Sequence, residues 1–260
     1  MYKRQLLPGR DTTALAPTVL GVEQSNTSIV YGGKLILKLV RKVEEGVNPD
    51  LEMTRFLNER GFANTPRLAG VLEYVEERRE PRTLALLQEF VPNEGDAWSH
   101  ALDALGRYFE RVLTRSSGEA PGPSLERVSD LVGAEPPAYL RELLGLHLET
   151  ARLIGRRTAE LHAVLASGED DPRFAPEPFS TLYQRSYYQS TRNTAGQVLR
   201  QLRRAMAGAA DDVRPLMQQV LDAEKAILAR LSRIVEVKIE AVRIRCHGDY
   251  HLGQVLQTGR

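Results

Sequence analysis

Eleven residues near the end of the chain, Cys246 to Leu256, reading CHGDYHLGQVL, restrict the rest more than any other stretch. The alternating run Val242, Ile244 and Cys246, with Arg243 and Arg245 between, predicts a half-buried strand that delivers His247, Gly248 and Asp249 into a turn. A second apolar run, Val255 and Leu256, follows. One carboxylate is thus held on a tight loop between two strands, with the amide oxygen of Gln254 five residues further on. Phosphoryl transfer from a nucleotide asks for that pair: a carboxylate to take the proton of an attacking hydroxyl, and an oxygen ligand for magnesium nearby. A strand-turn-strand with incidental polar side chains is the plainer reading of HGD alone; His251 and Gln254 in register weigh against it.

Composition narrows the remaining choices. With 260 residues, 42% of them hydrophobic, the chain can bury one large core or two smaller lobes. A net charge of +1 gives no global field to attract nucleic acid or an acidic membrane, so neither is an expected partner. Cys246 is the only cysteine, which excludes an internal disulfide and a thiolate metal cluster and fits a reducing compartment. It reads as a small core filler rather than a nucleophile. No run of 18 apolar residues and no signal-peptide core occur, so a soluble, cytoplasmic protein is expected.

Taken in order, Met1–Gln5 matches nothing in the fold reading and is expected to be a non-native head. Thr18–Glu23 reads as a strand, residues 24–28 (QSNTS) as a polar turn, and Ile29–Tyr31 as a second strand. Gly32 and Gly33 supply the positive φ of a tight hairpin connection into a strand from Lys34 to Val40. There Lys38 shares a face with Ile36 and Val40; an ammonium so placed must snorkel or find an anion. Asn48, Pro49 and Asp50 signal the start of a helix that runs to Arg60 and is closed by Gly61. Arg67–Glu76 and Thr83–Val91 read as two more strands around a solvated charged turn.

Beyond them, Asp96 caps a helix whose stripe of Trp98, Leu102, Leu105, Phe109 and Val112 is expected to pack into the core. Residues 116–124 (SSGEAPGPS) read as a flexible connection. Tyr139–Leu165 is expected to be one long helix with His162 packed near its end, and a last long helix is expected from Asp211 to Val235. Between these, Tyr183, Tyr187 and Tyr188 either stack on a sugar or cover the helices. By periodicity alone, an antiparallel-sheet lobe precedes a mainly helical one.

The order HGDxHxxQ resembles the catalytic loop of aminoglycoside-phosphotransferase-like small-molecule kinases. With NPDLE at 48–52 and YQRSYYQS at 183–190, the stretch CHGDYHLGQVL resembles the bacterial maltokinases over nearly the whole chain. The resemblance implies an α+β, bilobal protein-kinase-like fold, with a nucleotide lobe over 6–92 and a helical lobe over 93–260. It implies ATP and Mg2+ as cofactors and transfer of the γ-phosphate to the anomeric hydroxyl of maltose, in a free kinase or one fused to trehalose synthase. Asp249 would then be the catalytic base and Gln254 a metal ligand, with His247 and His251 bracing the loop. Lys38 would bind phosphate oxygens with Glu52 as its partner, and Ser25, Asn26, Thr27 and Ser28 would face the phosphates. The backbone of Glu89 and Val91 would meet the adenine edge. A second magnesium-binding Asp is expected beyond Arg260, so the chain reads as a C-terminally truncated kinase of little activity by itself. A phosphotransferase for an aminoglycoside or choline, and a non-catalytic nucleotide-binding module, stay open as alternatives.

Overall fold

The structure is a computed structural model that describes residues 15–21, 26–114 and 132–259. The expected non-native head at 1–5 and the flexible connection at 116–124 lie outside the described residues.

Five antiparallel strands form the first layer: β1 (Pro17–Leu20), β2 (Asn26–Tyr31), β3 (Leu35–Val40), β4 (Leu68–Tyr74) and β5 (Arg82–Glu89), in the order β1-β2-β3-β5-β4. Gly32 and Gly33, at φ 56° and 64°, make the turn between β2 and β3, which Lys34 closes by donating its N–H to the Tyr31 carbonyl at 3.0 Å. A side chain at either position would be strained, because both sit in the left-handed region. β2 begins at Asn26, so the expected polar turn ends sooner than its composition suggests. The pairings Ser28 with Lys38, Lys38 with Leu86 and Ile36 with Gln88 place Ser28, Lys38, Leu86 and Gln88 on one face.

That face meets α1 (Pro49–Glu59), where Gln88 Nε2 donates to Thr54 Oγ1 at 3.4 Å. The helix starts as its sequence dictates: Asn48 Oδ1 accepts from Asp50 N at 2.9 Å and Leu51 N at 3.3 Å, and Pro49 fills the first turn. It ends on Gly61 at φ 71°, with Phe62 N bonded to the Leu57 carbonyl and Gly61 N to that of Asn58. This paired return of N–H groups satisfies carbonyls the helix leaves open. Leu51, Met53, Phe56, Leu57 and Leu86 are among the buried residues here.

Helices follow: α2 (Ala97–Thr114), α3 (Ala138–Leu144) and α4 (Leu146–Leu165). The long helix expected from Tyr139 to Leu165 is two, because Gly145 at φ 53° breaks the ladder between them. His162, expected to be packed, is exposed. The apolar stripe of α2 is also not core: Trp98, Leu102, Leu105 and Phe109 are all exposed, and the buried positions are Ala97 and Ala104. Periodicity identified the helix and its apolar side, but whether that side is covered depends on what packs against it.

The chain divides into two compact units, Met1–Leu165 with Cys246–Arg260, and Ala166–Arg245. The first therefore holds the sheet, α1 to α4 and the whole loop at 247–256, with no division at residue 92. The second contains α5 (Thr181–Ala205), α6 (Arg214–Asp222), α7 (Glu224–Ser232) and a small pairing of β6 (Glu177–Pro178) with β7 (Val242–Arg243). The helix expected from Asp211 to Val235 is broken at Ala223 into α6 and α7. Gln184, buried at 2% exposure, bonds through Nε2 to the Ile234 and Val237 carbonyls at 2.6 and 2.7 Å, which ties α5 to the chain after α7. Tyr183 lies under the Arg243 guanidinium, 3.9 Å from the ring centroid, so one of its faces is already occupied.

Candidate active site

The strand expected to lead into the loop is only two residues long, and Ile244–His247 run on without regular structure. Cys246 is exposed, which corrects its reading as a core filler: the alternation at 242–246 had promised a buried face that the short pairing does not supply. Gly248, at φ 88°, makes the bend that carries Asp249, whose side chain is 82% exposed. An acid at that exposure is open to an incoming hydroxyl group.

His251 shapes the next step. Its Nδ1 accepts the Gly253 N–H at 3.1 Å and caps a short 3-10 turn over Leu252–Gln254, in which Gln254 N donates to the His251 carbonyl at 2.9 Å. With Nδ1 acting as acceptor, the neutral ring carries its proton on Nε2, which stands 3.9 Å from Asp249 Oδ2, too far for a hydrogen bond. The imidazole thus braces the turn that presents Gln254, and at Gly253 a Cβ would lie 2.9 Å from His251 Cε1, so a side chain there would push the ring aside. His247 packs edge-on against Tyr250 at 6.0 Å, and the Tyr250 hydroxyl shares a hydrogen bond of 3.1 Å with Thr158 Oγ1 on α4. Both histidines therefore make contacts within the loop.

A further anchor left no mark in the sequence. Glu94 N donates to the Gln257 carbonyl at 2.9 Å, Gln257 N to that of Gly95 at 2.8 Å, and Ala97 N to that of Val255 at 2.8 Å. The segment leaving the loop is thereby zipped, antiparallel, to the segment leaving β5, with Asp96 opposite Leu256. Asp96 Oδ1 also accepts from Ser99 N at 2.8 Å, and this bond holds the carboxyl below its ordinary pKa. Beside this junction a cavity of about 320 Å³ is lined by Asp96, Trp98, His251 and Gly253. Another of about 240 Å³ lies among α2, α4 and Leu252, with His100 and His147 in its wall.

The residues expected to touch nucleotide divide by position. Ser25 lies outside the described residues. Asn26, Thr27 and Ser28 stand in β2 rather than in a turn, and Ser28 is 0% exposed with no partner for its Oγ among the described residues, so it does not face a phosphate as expected. Lys38 lies on the sheet face that meets α1. Glu52 is buried at 9% exposure and stands two positions before Thr54, about 200° around the helix axis from it. Thr54 and Gln88, which the sequence reading passed over, make the hydrogen bond that joins this helix to the sheet face. The Glu89 N–H is taken by the Arg67 carbonyl at 2.8 Å, and the Val91 carbonyl accepts from Asn93 Nδ2 at 2.9 Å.

For magnesium, the donor chemistry fits: Asp249 and Gln254 offer exposed oxygens on one short loop. Magnesium takes few protein ligands and completes its shell with phosphate oxygens and water. Among the described residues no cluster of three or more His, Cys, Asp or Glu could hold a metal by itself.

Comparison with known proteins places the fold. The Ecdysteroid kinase-like family matches residues 138–257, under half of the chain. A glucosamine kinase of Mycolicibacterium smegmatis is 23% identical over 255 residues, 98% of this chain and 52% of that protein. The solved structure of a glucosamine kinase in complex with glucosamine, ADP and inorganic phosphate superposes with a TM-score of 0.58 at 20% identity, covering 94% of this chain and 47% of the other. Another crystal form gives a TM-score of 0.59 at 19% identity over the same shares of each chain. The fold is that of these kinases. An antiparallel-sheet region precedes a helical part, α+β as expected. The chain spans about half the length of the relatives it matches. Among the described residues no helix is long and apolar enough to cross a membrane.

Proposed function

We propose that the chain is the core of an ATP-dependent sugar kinase. The observation that carries this is the loop itself: Asp249 exposed on a Gly248 bend, Gln254 set by the His251-capped turn, and the whole zipped to the chain leaving β5. The likeness in fold to glucosamine kinase supports it. Asp249 orients the acceptor hydroxyl and takes its proton as the oxygen attacks the γ-phosphorus; the bond to the bridging oxygen breaks and ADP leaves. Lys38 steadies the phosphate oxygens, with Glu52 as a buried carboxylate that fixes the neighbouring helix. Gln254 would hold magnesium, which neutralises phosphate charge when bound. The nucleotide lies along Glu89–Val91, its sugar in the cavity beside Asp96, Trp98 and His251. The nucleotide lobe over 6–92 is then a functional division, crossed by the backbone ladder.

For the acceptor, the maltokinase-like stretches at 48–52, 183–190 and 246–256 favour maltose at its anomeric hydroxyl, giving maltose 1-phosphate, with trehalose synthase as a fusion partner or in complex with it. Glucosamine is the second reading, from the name of the relatives. A screen of maltose, glucosamine, an aminoglycoside and choline with Mg-ATP tests both, read by phosphorus NMR. Transfer to an aminoglycoside or choline but to neither sugar overturns the proposal, as does failure to bind ATP. In the active protein, Asp249→Asn should lower kcat by about 10²–10⁴-fold while nucleotide affinity holds.

A further inference from the structure

The four residues that follow β5's last buried position show an unusual economy of backbone groups. Glu89 N donates to the Arg67 carbonyl at 2.8 Å and Phe90 N to the Lys34 carbonyl at 2.9 Å. Pro92 has no N–H to give. The Val91 N–H, by contrast, donates to nothing among the described residues, while the Val91 carbonyl is covered by Asn93 Nδ2 at 2.9 Å. The same Asn93 side chain accepts the Gly95 N–H at 3.1 Å, and Gly95, at φ 114°, passes directly into the ladder with Gln257. One amide therefore spans the segment, closing an acceptor on one side and fixing the start of the ladder on the other.

We propose that Asn93 is a specificity-determining positioning residue: by covering the Val91 carbonyl it leaves this segment a single outward donor, which selects a base carrying an unprotonated ring nitrogen. Adenine presents such an acceptor at N1, whereas guanine carries a proton there and would set donor against donor. An uncovered Val91 carbonyl would reverse that penalty, because it could accept the guanine N–H. This inference rests on the nucleotide site proposed above and adds the residue that sets its choice of base.

The test is a ratio. Fluorescent ADP and GDP analogues are titrated into the 260-residue chain and into Asn93→Ala and Asn93→Asp, with thermal melts as a check on folding. The wild type should bind the adenine analogue at least tenfold more tightly. Asn93→Ala should tighten binding of the guanine analogue and bring the ratio close to one. Asn93→Asp keeps an acceptor for Gly95 N–H but cannot donate to Val91, so it should melt like the wild type and still lose discrimination. Equal weakening for both bases, or an unchanged ratio in Asn93→Asp, means a purely structural role and overturns the inference. A wild type that binds nucleotides without preference overturns it too. A wild type that binds neither overturns the nucleotide site itself.

Discussion

Ser28 and Gly253 show how much a single position can carry when its neighbours are fixed. The Ser28 hydroxyl is fully buried and has no partner among the described residues, so burying it carries a desolvation cost that no such bond offsets. Ser28→Ala should therefore be neutral or stabilising by up to about 1 kcal/mol in urea denaturation; a loss of more than that would mean the hydroxyl does make a bond in solution. Gly253 is the opposite case. A methyl group there would lie 2.9 Å from His251 Cε1, and the ring that accepts the Gly253 N–H must move. Gly253→Ala should cost about 1–2 kcal/mol in stability. Because Gln254 is presented by that turn, the dependence of phosphotransfer on magnesium concentration should shift to higher values.

At the scale of the element, α2 links the candidate site to the helical part through its first residue. Asp96 caps the helix by accepting from Ser99 N, and that bond holds its carboxyl below the ordinary value. A carboxyl depressed in the folded state contributes fully above its unfolded pKa, about 3.9, and the contribution is lost as pH falls through the lower folded value. Asp96→Asn, which accepts the same bond at every pH, should flatten the acid-side fall in melting temperature below about pH 4; an unchanged acid limb would remove Asp96 from the account. Elsewhere α2 presents Trp98, Leu102, Leu105 and Phe109 to solvent, an apolar face far longer than single exposed residues need. The helix obeys its periodicity, yet the face it defines is not the one that this chain buries.

For the molecule as a whole, one compact unit takes in both the sheet and the loop at 246–256, although the chain between them includes the separate unit over 166–245. Three backbone hydrogen bonds, from 94, 97 and 257, join the segment leaving β5 to the segment leaving the loop. A nucleotide seated on Glu89–Val91 should therefore stabilise the loop as well as the sheet. At a concentration about 100 times its Kd, ATP should raise the unfolding free energy by about 2.7 kcal/mol. In hydrogen exchange the protection should appear at 251–257 as well as at 85–91; protection confined to the sheet would show that the ladder does not transmit binding.

The sequence by itself determined what depends on local geometry. Asn48-Pro49-Asp50 and Gly61 bracket α1 because cap and turn chemistry act over a few residues. The paired glycines at 32–33 set the hairpin, and the glycine of HGDxHxxQ marks the bend at Gly248. Only the tertiary structure decided which apolar faces are covered, that Ser28 is sealed beside Lys38 instead of open to phosphates, and that Thr54 meets Gln88. It alone disclosed the ladder from 94–97 to 255–257 and the bond from Asn93 to the Val91 carbonyl, since backbone groups are carried by every residue and their hydrogen bonds between distant segments leave no signature in side-chain identity.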